Sequence, residues 1–338
     1  MSSIYRSCYA KHWDLACLTD RNFNDDWTRS FVDLKRKLGA AGEGIELFLE
    51  DVQGFGLDDK FEELKALAAT VSLDDLQQGV GPAGQRPSAW LDERSLTSGT
   101  REHKNPLTAT RLYNHLKIPR IGSKFAPDVQ RRLVYIKNLD AAYMLALAET
   151  VANHEVLLLR DALWKHFDRQ TWLNVNFPTN TYSIFQLEFH LNYFTFGTAP
   201  ADNEADHRAA ASNPKWTDLS FLEIETPKAP EGRKHGIFEA HFTLVICGTH
   251  EGQWDAYAFD DNEFEGEDLY EKLSACEAFH PDPIASCLLS DNDTDADLPI
   301  WNPREYFLKV VANRTAAASE AWDSLIRATE RSIRKHVS

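Results

Sequence analysis

Long apolar runs are missing from this 338-residue chain. No window approaches the about 18–20 apolar residues that a membrane-spanning helix needs. The nearest candidate, Leu139 to Leu159, contains Asp140, Glu149, Asn153, His154 and Glu155. A charge at a helix centre costs about 2.5–3.5 kcal/mol on insertion scales, so this stretch reads as a pair of water-soluble helices and no membrane insertion is expected. The first residues, Met1 to Cys8, lack the apolar run of a signal peptide. Cysteine is scarce: Cys8, Cys17, Cys247, Cys276 and Cys287 are odd in number, and no two have zinc-ligand spacing. Cys247 ends the run Phe242 to Cys247 and reads as a buried free thiol. Together these point to a reducing, cytoplasmic setting. Nucleophile and phosphate motifs are also missing. There is no GxSxG, no P-loop and no GxGxxG; Gly79 to Gly84 reads GVGPAG, with a proline in the turn and no Lys after it.

Basic residues fail in one region. From Glu251 to Ile300 there are fifteen Asp/Glu against the single Lys272, and this stretch carries most of the formal charge of −16. Such a surface repels nucleic acid and anionic membrane and suits a basic partner or a divalent cation. Asp291, Asp293, Asp295 and Asp297 alternate as in a calcium loop. However, Ala296 stands where the loop needs Gly, and Asn302 where it needs a bidentate Glu, so an EF-hand is excluded. Weak Mg²⁺ or Ca²⁺ binding by these oxygens together with Asp282 remains an expectation. The stretch Arg101 to Arg132 is basic and is expected to pair with the acidic region, within the chain or across a subunit contact.

Aromatic bulk is plentiful: nine Trp and 19 Phe can fill a sizeable core. Residues 1–126 read as a mostly helical portion, with a loop-rich connection at about 79–106 marked by Gly79, Gly81, Pro82, Gly84, Pro87, Gly99 and Pro106. Residues 127–300 read as an α+β core. Arg131 to Ile136 is a short strand. Asp140 caps a helix to about Asn153, and a second helix runs from Glu155 to about Asp168. Ser183 to Phe196 alternates most clearly: Phe185, Leu187, Phe189, Leu191 and Tyr193 share one face, and Gln186, Glu188, His190 and Asn192 the other. Two further strands, Ile237 to Cys247 and Gln253 to Phe259, flank a five-residue hairpin loop, Gly248 to Gly252. Residues 301–338 form a long closing helix. Asn302 can cap it, Pro303 suits its first position, and Glu305 follows three residues after the cap. Helices, then antiparallel strands, then a long helix predict an α+β fold with a mixed or antiparallel sheet.

Six short motifs occur in order: Arg132-Leu133-Val134-Tyr135-Ile136; Leu159 to His166; Phe185 to Leu191; Trp254 to Phe259; Asp282-Pro283-Ile284; and Trp301 to Leu308. In this series the chain resembles the soluble domain of fungal CorA-like transporter proteins. Asn192 departs from the pattern, which has Pro there, and the Gly-Met-Asn pore signature is absent: Met1 and Met144 are the two methionines. The resemblance implies a CorA-funnel-like fold and a closing helix that bundles with its copies. In that family the helix leads to membrane spans, and no such spans follow it here. The resemblance therefore carries over a soluble regulator, a partner protein or a scaffold and not ion conduction. A cytosolic piece of a CorA-type Mg²⁺ transporter ending before its spans is the alternative.

Two constellations carry the chemistry. Glu188 and His190, two apart on one strand, share a face about 7 Å apart. With His166 and His154 near in sequence they could form an acid–base or metal site. The competing reading is a polar layer under a covering helix, bonded to Arg131, Arg132 or Arg160. On the closing helix, Trp322, Leu325, Ile326 and Ile333 form an apolar stripe that either meets a partner or packs back on its own domain. The preferred expectation is a soluble, non-catalytic interaction or regulatory module, self-associating and responsive to divalent cations. An enzyme using Glu188, His190 and His166 is its rival.

Overall fold

The computed structural model describes residues 30–49, 59–96, 99–124, 126–177, 184–200, 216–219, 221, 233–261, 280–286 and 294–337. The fold is α+β, as the order of elements predicts. Five short helices come first: α1 (Phe31–Lys37), α2 (Gly44–Leu49), α3 (Asp59–Ala68), α4 (Leu73–Gln78) and α5 (Pro82–Gln85). Strands β1 (Ala89–Ser95) and β2 (Gly99–Arg101) follow, then α6 (Ala109–Leu116), β3 (Arg131–Lys137), α7 (Ala141–Thr150) and α8 (Val156–Phe167). The remainder is β4 (Trp172–Asn176), β5 (Phe185–Pro200), β6 (Trp216–Asp218), β7 (Arg233–His250), β8 (Gln253–Asp261) and α9 (Pro303–Val337).

All the described strands join one mixed sheet in the order β2-β1-β3-β8-β7-β5-β4, with β6 on the far part of β7. Only β3 and β8 run parallel among them. Antiparallel neighbours join through short turns, whereas a parallel pair needs a long crossover. Here that crossover brings residue 131 beside residue 254. β5 and β7 pair without interruption from Phe185↔Gly248 to Pro200↔Arg233, far beyond the ends of β4 and β8. The sheet therefore carries a projecting arm.

Each face of the sheet has its own core. Leu91, Val134, Ile136, Val245, Cys247, Tyr257 and Phe259 pack against the helices from α1 to α8. That cluster takes in Phe31, Leu64, Leu112 and Leu116 as well, so the described part of the N-terminal segment and the sheet share one core. α7 lies at its centre, with every residue from Ala141 to Glu149 buried. Asp140 starts this helix as expected, accepting from the N–H groups of Ala142 and Tyr143. The opposite face presents Trp90, Leu133, Phe185, Leu187, Phe189, Phe242, Leu244, Ile246 and Trp254 to Tyr306, Phe307 and Val310 of α9. The alternation read in β5 is therefore the true one.

α9 is 35 residues long, about 52 Å at 1.5 Å per residue. Asn302 Oδ1 accepts from the N–H groups of Arg304 at 3.0 Å and Glu305 at 3.3 Å, which satisfies donors that a helix start leaves open. Its inward stripe, Tyr306, Val310, Ala317, Ala321, Leu325 and Ala328, is buried along the arm and the sheet. Among the described residues no helix is long and apolar enough to cross a membrane.

Two expectations need correction. The connection at 79–106 is no loose loop: it contains α5 and the edge strands β1 and β2. β1 reads Ala89-Trp90-Leu91-Asp92-Glu93-Arg94-Ser95, and its run of charges conceals a strand because each charge is neutralised inside the fold. The hairpin between β7 and β8 is also tighter than five residues. β7 continues to His250 and β8 begins at Gln253, leaving Glu251-Gly252 as the turn.

Candidate functional site

On the face covered by helices, α8 crosses the sheet with a polar cluster beneath each end. At its C-terminal end lie the residues singled out in the sequence. Glu188 Oε1 accepts from Lys165 Nζ at 2.7 Å and lies 2.8 Å from His190 Nε2. His190 Nδ1 and His166 Nδ1 each lie 2.9 Å from Thr243 Oγ1, so one hydroxyl bridges the two rings. His166 Nε2 faces Asp261 Oδ2 at 3.2 Å. The predicted trio thus meets, but behind a closed surface: His190, Glu188 and His166 are 0%, 1% and 2% exposed.

Burial works to raise the Glu188 carboxyl, but the bonds from His190 and Lys165 outweigh it and hold it below the ordinary range. Burial pushes His190 down, against the pull of Glu188. His241, which sequence reasoning passed over, completes the cluster with its ring centroid 5.0 Å from that of His166. Neither of its ring nitrogens has a hydrogen-bond partner. Burial, then the charges of His166, His190 and Arg169, drive its titration far below the usual histidine range. Such a ring stays neutral and takes no hydrogen bond, and it is closed off from solvent. The arrangement is the polar layer under a covering helix. Its partners are Lys165 and Thr243 rather than the arginines expected: Arg160 instead lies over the rings of Phe31 and Phe48.

This cluster makes the fold acid-sensitive. A histidine whose folded-state titration is depressed adds stability above its unfolded value of about 6.5, and that stability drains away as pH falls below it. The loss approaches 1.4 kcal/mol for each pH unit, or about that, from this one group. His241→Gln is expected to flatten the acid limb of stability, measured as urea midpoints from neutral pH downward. A limb of unchanged slope would show that His241 does not titrate in this way.

A second cluster lies under the N-terminal end of α8, where β3 and β8 begin. His154 is here, beside Glu155 at 3.4 Å and at the other end of α8 from His166. Tyr257 donates to Glu155 Oε2 at 2.8 Å. Arg120 binds Asp255, the carbonyl of Gln130 at 2.6 Å and that of Trp254 at 2.8 Å. Arg132 donates to Glu93 at 2.8 Å, and Arg101 and His103 also face that carboxylate. The basic stretch therefore turns inward. Arg120 meets the acidic region at Asp255, as expected, Arg101, Arg131 and Arg132 meet Asp92 and Glu93 of β1, and Arg111 and Lys117 stay on the surface.

The other predicted sites are placed as follows. Asp291 and Asp293 lie outside the described residues. Asp295 Oδ1 accepts from the N–H of Asp297, and Asp297 pairs with His280 at 2.8 Å and Arg94 at 3.4 Å. Asp282 is buried, holding Tyr306 and the N–H groups of Ile284 and Ala285, so it takes no part in a surface cation site. Among the described residues no three His, Cys, Asp or Glu are grouped to hold a metal ion. The closing-helix stripe divides: Leu325 is buried, four residues after the inward Ala321, while Trp322, Ile326 and Ile333 are exposed by 43%, 48% and 57%.

Comparison with known proteins gives no matching family model, no matching curated protein and no matching solved structure.

Proposed function

We propose that this chain is a non-catalytic interaction module on a CorA-funnel-like plan, and that its principal surface is the outward seam of α9, which pairs with a second copy of the chain. The observation that carries this reading is a second stripe on that helix. Leu308, Thr315, Ser319, Trp322, Ile326, Thr329 and Ile333 follow one another at spacings of seven, then alternately four and three. That is the rhythm of a coiled-coil seam, and it lies outside the stripe that packs on the sheet. Its distal half is apolar, and Phe194 of the arm extends it by packing edge-on to Trp322 at 5.7 Å. Large exposed apolar groups in a row mark an interface more often than they mark idle surface.

Charge argues for a second copy as the occupant. Glu320 and Asp323 stand before Ile326, and after it Arg327, Arg331 and Arg334 outnumber Glu330, which lies 3.8 Å from Arg334. An antiparallel pair about a two-fold axis sets the acidic turn of each copy near the basic turn of the other. The seam does not depend on a cation: Asp282 and Asp297 are engaged by Tyr306, His280 and Arg94, and Asp291 and Asp293 lie outside the described residues.

Trp322→Glu with Ile326→Glu should leave the circular dichroism unchanged, lower the thermal midpoint modestly through loss of the Phe194 contact and of the pairing, and convert the assembly to monomer in sedimentation velocity. Variants that fold and still sediment as wild type would remove the seam from the account.

A further inference from the structure

The second polar cluster opens to solvent through a cleft of about 240 Å³, the volume of about eight liquid waters. Its walls come from the start of α1 with Ser30 and Asp33, the turn from Lys117 to Ile121 after α6, the end of α7 on to Glu155, and Arg132 and Asp255 on β3 and β8. The charges in it are unequally satisfied. Arg120 and Arg132 at the floor are engaged with Asp255, Glu93 and two carbonyl groups. Glu149 is held by both Nη atoms of Arg36 at 2.8 Å. Asp255 Oδ1 has no hydrogen bond, although the residue is only 2% exposed and Arg132 Nε stands 4.0 Å away. The Glu155 carboxyl lines the same cleft and interacts with that of Asp255. Two carboxylates are both acceptors, so that contact needs a donor between them.

We propose that this cleft binds a small cation bearing several N–H donors, a primary amine or guanidine, whose N–H groups bridge the Glu155 and Asp255 carboxylates. A donor is what the unpaired oxygen lacks, and buried acceptors without one are costly. An anionic ligand would meet Glu155, Asp255, Glu149 and Asp33 with the floor arginines already paired. The volume excludes a macromolecule and accepts a ligand of roughly ten heavy atoms.

A proton competes for the place of that cation. Burial raises the Asp255 carboxyl to about 7, against the pull of Arg120, while the Glu155 carboxyl, which burial alone would raise, is held low by His154, Asp255 and Arg120. The other titratable groups facing the pair are Tyr257 and Cys247 from the sheet and Lys117 at the rim. Burial raises both Tyr257 and Cys247, which stay neutral. Cation and proton therefore compete. Binding should release one proton, strengthen about tenfold per pH unit below 7 and level off above it.

The test is titration calorimetry of the full chain with methylguanidine and with putrescine, in two buffers of different ionisation enthalpy at several pH values. Stoichiometric binding with proton release and that pH profile is the expected result. Asp255→Asn, which keeps the size of the side chain, should weaken binding at least tenfold and abolish the pH dependence. Lys117→Glu at the exposed rim gives up one contact with Tyr113 and should tighten binding several-fold. Absence of heat with both probes, or binding indifferent to pH and to Lys117→Glu, would overturn the proposal. Both outcomes are independent of the α9 seam.

Discussion

Glu93→Ala is expected to destabilise the fold by about 3–5 kcal/mol, the range for removing one partner of a buried ion pair. Glu93 is fully buried on β1 and faces Arg132, Arg101 and His103. Burial works to raise its carboxyl, but Arg132, His103 and Arg101 together hold it at about 2. Its charge is thus part of the native structure. Alanine would leave two guanidinium groups facing one another without a counter-ion. Glu93→Gln keeps the shape but not the charge, and should recover less than half of the loss. The linkage sign follows: a carboxyl depressed in the fold adds stability above its unfolded value of about 4.5, and that stability is lost as pH falls toward 2. Urea unfolding of the three proteins at neutral pH, and of the wild type down the acid limb, checks both statements. A Glu93→Ala protein within 1 kcal/mol of wild type, or about that, would mean the cluster is not buried as a unit.

Asp282→Ala should cost about 2–4 kcal/mol on the opposite face of the sheet, by leaving buried donors without an acceptor. Asp282 accepts from Tyr306 Oη at 2.9 Å and from the N–H groups of Ile284 at 3.0 Å and Ala285 at 3.2 Å, and lies 3.7 Å from Arg131. It ties the segment 280–286 to the first turn of α9, which Arg314 reinforces by binding Asp260 and the carbonyl of Pro283. Here the charge matters less than the shape. Burial raises the Asp282 carboxyl in spite of Arg131, so the ionised form is disfavoured in the fold. Asp282→Asn should therefore remain within about 1.5 kcal/mol of wild type, in contrast to Glu93→Gln. The pair of amide substitutions separates a carboxylate kept for its charge from one kept for its hydrogen bonds. Equal losses from the two would refute the distinction.

What could be read from the sequence follows from how each element is buried. β5 was legible because its two faces differ: Phe185, Leu187 and Phe189 meet α9, and Glu188 and His190 meet α8. β1 was not legible, because both of its faces are buried and both carry charge, Asp92 toward Arg131 and Glu93 toward Arg132. Alternation signals a strand only where its two faces differ in polarity. The cap of α9 was visible in Asn302 and Pro303, since capping is local. The Glu155–Asp255 cleft left no such trace. Its carboxylates lie a hundred positions apart and meet only because β8 lies parallel to β3 through a long crossover. A free thiol at Cys247 was expected from its apolar run and is observed there. The division of the closing-helix stripe turns on helical phase. Leu325 and Ile326 are neighbours in sequence but about 100° apart around the axis, so one faces the sheet and the other solvent.

The most direct test of the central claim is the molar mass of the wild-type chain by light scattering across a range of concentrations, with and without millimolar Mg²⁺. Pairing along α9 predicts a mass that rises to twice that of one chain as concentration increases, with no change on adding the cation. A single-chain mass at every concentration would contradict the account, and a doubling that appears only with Mg²⁺ would assign the pairing to a cation site and not to the seam alone.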